Sequence, residues 1–329
     1  MTEPAPEHGP ACLCEMYATV TERAALAAGR WLGRGDDAGA QTAAVDAMCA
    51  ALDRLPIAAT VAIGPGEEEG RDLGVGTSLG GGGERVDLAV DPLEGPAVVA
   101  RGGNGAMAMV AAGDPGTMPS LPQMYMRKIA VGPVARGSVD LGLPIADNVA
   151  AIAEGFGRQP NDVTAIVLDR PRHHDLIEEL RQSGARIKLI QDGDVTSAIN
   201  AAIRGTNDHI AVGIGGSRQA IIAAAALRCL GGELQAQLWP TSRTEITAAH
   251  GAGIGDTERV FTIEDLAPQD VIVAATGVSN GDLLRGVRYL ADSARTHSIV
   301  MCTRCNWVRF VDGIHFFART RREEVRLLG

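Results

Sequence analysis

Hydrophobic and polar positions along this chain fall into two textures. In the first 160 residues, apolar runs at 60–64, 86–90 and 105–112 are short and bounded by glycines or acids. Such runs predict buried strands. Alanine-rich stretches with helical periodicity predict helices over 21–30, with Thr21 as N-cap and Gly33 closing it, and over 42–55. Residues 76–83 hold four consecutive glycines and predict a flexible loop. From residue 162 the pattern becomes regular β-α alternation. Strands are expected at 165–168, 187–190, 209–212, 271–276 and 298–300, and helices at 174–183, 195–203 and 218–230. Strands separated by 10–15-residue helices predict a largely parallel sheet whose ligands bind at the strands' carboxyl ends. The natural division is a Pro- and Glu-rich tail over 1–16, expected to be mobile, a lobe over 17–160 and an α/β lobe over 161–329.

Composition narrows the classes. Thirty basic against forty acidic residues give a net charge of −10, which argues against nonspecific nucleic-acid binding. No apolar stretch approaches the 18 or so residues of a membrane span. The longest, over 220–227, is alanine-rich and reads as a buried helix. The first residues carry no basic-then-apolar secretory pattern, so a cytoplasmic location is expected. Of six cysteines, Cys49 and Cys229 lie in apolar helical patterns and read as buried thiols. Cys12-x-Cys14 and Cys302-x-x-Cys305 are spaced to hold zinc or an iron–sulfur cluster if the two ends of the chain meet; otherwise they are two unrelated reduced pairs.

The most informative segment is Val86-Asp87-Leu88-Ala89-Val90-Asp91-Pro92-Leu93-Glu94-Gly95-Pro96. A strand delivers two carboxylates to a turn that opens a helix, an arrangement able to share Mg²⁺ ions and to offer N–H groups to a phosphate. On the phosphate side, Asp169-Arg170-Pro171-Arg172-His173 follows a strand, and paired guanidinium groups match phosphate oxygens bidentately. The alternative is that these charges pair among themselves, Arg172 with Asp192 for example. Asp192-Gly193-Asp194 ends the next strand, where carboxylates accept hydrogen bonds from sugar hydroxyls. Gly213-Ile214-Gly215-Gly216 before a helix is either a phosphate cradle or a tight strand-to-helix turn. No Gly-x-Gly-x-x-Gly with a suitably placed acid is present, so no nucleotide cofactor is expected.

With Val20-Thr21-Glu22, Met124-Tyr125-Met126, Ala275-Thr276-Gly277-Val278 and Thr296-His297-Ser298 in the same order, these motifs resemble the class II (GlpX-like) fructose-1,6-bisphosphatases of the lithium-sensitive phosphatase superfamily. The resemblance covers roughly residues 20–315. It implies α/β/α/β/α layers with two sheets, a sugar-phosphate pocket lined by Tyr125, Arg170, Arg172, Asp192, Asp194 and Gly216, Mg²⁺ or Mn²⁺ as cofactor, and a homo-oligomer, dimer or tetramer. It also implies metal ligands at Asp91 and Glu94, with three further ligand positions occupied here by Gln41, Pro65 and Gln219. Pro96 stands where the family has a threonine, and Arg218 has appeared beside Gln219. Glu67 and Glu69, or Asp36 and Asp37, are the carboxylates near enough in sequence to compensate.

Three readings follow. One is an enzyme acting on a phosphorylated sugar with altered or weakly metal-dependent chemistry, using Asp91, Glu94, Glu67 and Glu69. Another is a working Mg²⁺-dependent sugar-phosphate phosphatase with rebuilt ligands. The third is a non-catalytic sugar-phosphate sensor or partner subunit.

Overall fold

The computed structural model describes residues 12–65 and 73–317. Glu67, Glu69 and the first eleven residues of the expected tail lie outside them. The elements begin with α1 (Met16–Ala28), α2 (Asp37–Leu52), β1 (Ile57–Ile63), β2 (Ser78–Leu79), β3 (Glu84–Glu94), α3 (Pro96–Ala100) and β4 (Met107–Gly113). There follow β5 (Tyr125–Val131), α4 (Ile145–Gly155), β6 (Thr164–Leu168), α5 (His174–Gln182), β7 (Arg186–Ile190), α6 (Asp194–Ala202), β8 (Ile210–Gly216) and α7 (Ser217–Leu230). The chain continues through β9 (Glu233–Leu238), α8 (Arg243–Gly251), β10 (Val260–Phe261), α9 (Ile263–Leu266) and β11 (Val271–Gly277). It closes with β12 (Arg288–Tyr289), β13 (Ser293–Cys302) and β14 (Trp307–Phe316).

Two sheets organise these elements. The first runs β12-β13-β11-β4-β3-β1-β2, with β14 on β13; the second runs β10-β9-β5-β8-β6-β7. Side chains alternate across each strand, so a strand covered on both faces is apolar throughout. On β4, Met107, Met109 and Ala111 join the core between the sheets, while Ala108, Val110 and Ala112 join the core beneath α1 and α2. On β5, Met126 and Ala130 face the middle, and Ile129 and Val131 pack toward α4 and α5. The middle layer is α6, α7 and α9. Every residue of α7 from Ala220 to Leu227 is buried, and five of the eight are alanines, whose small side chains let the helix fit between two sheets. The result is α/β/α/β/α layering.

Several expectations change. The second sheet is only half parallel: β8, β6 and β7 run together, but β5, β9 and β10 are antiparallel. The sheets also ignore a division near residue 160, since β5 belongs to the second sheet and β11 to β14 return to the first. Thr21 does not cap α1. It lies mid-helix, where its hydroxyl donates back to the Ala18 carbonyl (3.1 Å) and meets Thr276 Oγ1 (2.7 Å). Residues 12–16 are structured: a 3₁₀ turn over Leu13–Glu15 leads straight into α1. Helix α2 starts at Asp37 because Asp36 accepts the Gly39 N–H (2.7 Å). The glycine loop is tied down as well, with β2 pairing β1 and the Gly81 and Gly82 N–H groups bonded to the Leu55 and Ile57 carbonyls. Among the described residues, no helix is long and apolar enough to cross a membrane.

Candidate functional site

A cleft of about 520 Å³ opens where the end of β3, the start of β5, the carboxyl ends of β6 and β7 and the β8–α7 junction converge. Its wall brings together Asp91, Glu94, Tyr125, Arg170, Arg172, Asp192, Asp194, Gly216 and Arg218, with Gln41, Pro65, Pro96 and Gln219. Asp36 and Asp37 are not in that wall; Asp36 is engaged as the α2 cap.

The β3–α3 turn works through glycine and proline. Gly95 has φ 91°, a left-handed conformation that glycine adopts without steric cost, and Pro96 takes the first helical position. Helix α3 is only five residues long and Pro96 has no N–H, so the turn offers a phosphate less than the pattern suggested. Glu94 is buried and crosses to the second sheet's side. Its carboxylate accepts hydrogen bonds from Val195 N (2.7 Å), Thr196 N (3.1 Å) and Thr196 Oγ1 (2.5 Å), and so caps the N-terminus of α6. Burial and the neighbouring Asp91 push the Glu94 carboxyl up to about 8, against the pull of those donors.

The basic side is built differently from the expected mutual ion pairs. Arg172 does not pair with Asp192. It donates through Nε and Nη2 to the Ile214 carbonyl (3.1 and 2.9 Å) and stacks 4.7 Å from the Tyr125 ring centroid. Arg170 is fixed by the Asp169 and Gln191 carbonyls. Neither anchor exhausts a guanidinium's five donors. Arg218, in the first turn of α7, donates to the Gly64 carbonyl at the end of β1, bridging the two sheets. Burial pushes the Asp192 carboxyl up, opposed by the Gly193 N–H and by Arg170.

Asp194, expected to meet sugar hydroxyls, forms an ion pair with buried Lys128, which also donates to the Gly216 carbonyl (3.0 Å). The glycine motif is not a loop cradle. Residues 213–216 are the end of β8, with Tyr125 opposite Gly216 and Lys128 opposite Gly213. Of these four, Gly215 and Gly216 line the cleft, Gly216 as N-cap of α7. Glycine is required at 215 because a Cβ there would collide with the Asp194 carboxylate and lie 2.9 Å from Lys128 Nζ.

Three contributors were not singled out as site residues. Lys128 lies two residues beyond the Met124-Tyr125-Met126 motif and has no local signal of its own. Thr196 shows no local signal. His173 donates from Nδ1 to the Leu168 carbonyl (2.7 Å) and accepts the Ile214 N–H at Nε2 (2.7 Å), which ties the arginine loop to β8. Burial lowers its pKa and keeps the ring neutral.

Two stacked sheets with helices between and outside them, and an arginine-flanked cleft at the strand ends, define a layered α/β sugar-phosphatase fold. The model of the bacterial fructose-1,6-bisphosphatase family, glpX-encoded, matches residues 12–315. The chain is 40% identical over 325 residues to the D-fructose 1,6-bisphosphatase class 2/sedoheptulose 1,7-bisphosphatase of Synechococcus sp. (strain JA-3-3Ab), covering 90% of this chain and 93% of that one. It is 36% identical over 334 residues to the protein of the same name from Microcystis aeruginosa (strain NIES-843 / IAM M-2473), covering 93% and 97%. The chain belongs to the glpX-encoded fructose-1,6-bisphosphatase family.

Proposed function

We propose that this protein is a sugar-phosphate-acting enzyme of the phosphatase family. In this reading it keeps the ligand pocket but hydrolyses phosphomonoesters weakly, with little dependence on divalent metal. The ligand is a ketose bisphosphate or a close relative, the class named for the two cyanobacterial proteins. Arg170 and Arg172 hold one phosphate, Tyr125 and Asp192 orient the sugar, and Arg218 meets the second phosphate at the first turn of α7. In this reading Asp91, in the cleft wall, is the carboxylate that moves a proton, and Glu94 holds α6.

The observation that carries this reading is the donor set opposite Arg218. Hard divalent ions need several carboxylate oxygens to replace their water. Gln41, Pro65 and Gln219 supply none, Glu94 is committed to backbone N–H groups, and a guanidinium stands in the same wall. Among the described residues, the cleft has no three carboxylates or imidazoles close enough to share one ion. Among the described residues, this donor set does not fit two or three Mg²⁺ or Mn²⁺ ions. Proline at 96 also removes a hydroxyl donor, and losing one positioned donor costs on the order of 10²–10³ in rate.

Phosphate release from fructose 1,6-bisphosphate and sedoheptulose 1,7-bisphosphate, with Mg²⁺ or Mn²⁺, tests this against a relative bearing all the family carboxylates. The expected rate is at least about 100-fold lower, with ligand binding detectable by calorimetry in chelator. Restoring the acids and the hydroxyl (Gln41→Asp, Pro65→Glu, Pro96→Thr, Gln219→Glu) should raise metal-dependent release. Fast, metal-saturable release by the unaltered chain would overturn the reading.

A further inference from the structure

Cys12 caps and Cys14 lies within the 3₁₀ turn that precedes α1, and Cys302 ends β13 with Cys305 in the turn leading to β14. Nearly 300 residues apart in sequence, they meet: the four Sγ atoms all lie within 4.8 Å of one another. Cys12 Sγ is 3.8 Å from Cys302 Sγ, and Cys14 Sγ is 3.9 Å from Cys305 Sγ. None of the four is in a disulfide, and these contacts are nearly twice an S–S bond of about 2.05 Å. They match another geometry. A tetrahedron of Zn–S bonds near 2.3 Å has S···S edges of about 3.8 Å.

We propose that these four thiolates bind one tetrahedral Zn²⁺ ion that staples the start of the chain to the β13–β14 hairpin. Three features besides the distances support it. The Cys305 N–H points at Cys302 Sγ (3.3 Å), the backbone donor that a metal-bound thiolate in a Cys-x-x-Cys turn requires. The turn that carries Cys305 is tight, with the Asn306 N–H bonded to the Thr303 carbonyl (3.1 Å) and Asn306 at a left-handed φ of 51°. The site is largely enclosed: Cys14 and Cys302 are buried, Cys12 and Cys305 are half-buried, and Leu13, Met16 and Trp307 pack against the same core beneath the first sheet. Four protein ligands and no open position mark a structural ion rather than a catalytic one. An iron–sulfur cluster does not fit, because its thiolates bind different irons and stand farther apart than a shared single ion demands. The site lies on the far side of the first sheet from the cleft, among residues the proposed chemistry does not use.

The test uses the full chain purified under reducing conditions without chelator. Elemental analysis should find one zinc per chain. Titration with an organomercurial should release it while a chromogenic chelator records the release. Refolding with Co²⁺ should give the thiolate-to-cobalt charge-transfer band of a four-sulfur site. Cys305→Ser and Cys12→Ser should each lose the ion, and Cys49→Ala should keep it. Far-UV circular dichroism of the serine variants separates loss of the ion from failure to fold, and Cys12→His, which keeps a ligand, should retain zinc. Absence of zinc together with no cobalt band, or iron with acid-labile sulfide, or Cys12–Cys302 and Cys14–Cys305 disulfides in peptide maps, would each overturn the proposal.

Discussion

Glu94 illustrates what a single side chain can hide. Its spacing from Asp91 reads as a metal pair, yet its carboxylate holds the first turn of a helix one hundred residues further on. No local pattern carries that pairing, because Thr196 becomes a partner only after the two sheets stack. Glu94→Ala would leave the Val195 and Thr196 N–H groups buried without an acceptor, at a cost of about 1–3 kcal/mol. The urea midpoint should fall accordingly, and an unchanged midpoint would remove Glu94 from this role. His173 makes a second prediction. Its ring must stay neutral to accept the Ile214 N–H, and burial depresses its pKa below the ordinary value near 6.5. A depressed folded-state pKa contributes stability that is complete above 6.5 and is lost as pH falls through it. His173 therefore contributes a fall in thermal midpoint from pH 7 toward 5, against the opposite contribution of the raised Glu94 and Asp192 carboxyls, and His173→Gln should flatten that fall. His209, His297 and His315 are shifted the same way, so the flattening is partial. Equal slopes for the two proteins would refute the assignment.

At the scale of elements, continuous apolar runs revealed the interior strands. Within 86–90, 165–168 and 271–276 every position but Asp87, Leu168 and Ile272 is buried, and burial on both faces is what such a run encodes. Strand β9, Glu-Leu-Gln-Ala-Gln-Leu, has period two instead and falls outside those runs, although its alternation is as clear a signal. Strand β14 is an edge strand with many exposed positions, so its pattern is weaker. The glycines of β8 were visible, but their purpose was not. They read equally as a phosphate cradle or a tight strand-to-helix turn, because sequence cannot show that Lys128 and Asp194 pass over Gly215. Gly215→Ala should cost about 1–3 kcal/mol through overpacking. By moving the Lys128–Asp194 pair, it should also weaken ketose bisphosphate binding measured by calorimetry. Unchanged affinity would show that this pair does not shape the pocket.

For the whole molecule, the layered class followed from the order of motifs, and the lining of the cleft from strand ends and arginine spacing. The sheet order did not. A β-α alternation suggests strands that pair with sequence neighbours, whereas the first sheet is closed by β11, whose partner β4 precedes it by more than 150 residues. That pairing bears on synthesis. While a ribosome is still making the middle of the chain, β4 presents a row of apolar, unpaired backbone with nothing of its own to dock against. Such an edge invites association with other nascent chains until β11 emerges. For this protein the emergence of β11, rather than the end of either sheet's local sequence, is when folding becomes safe.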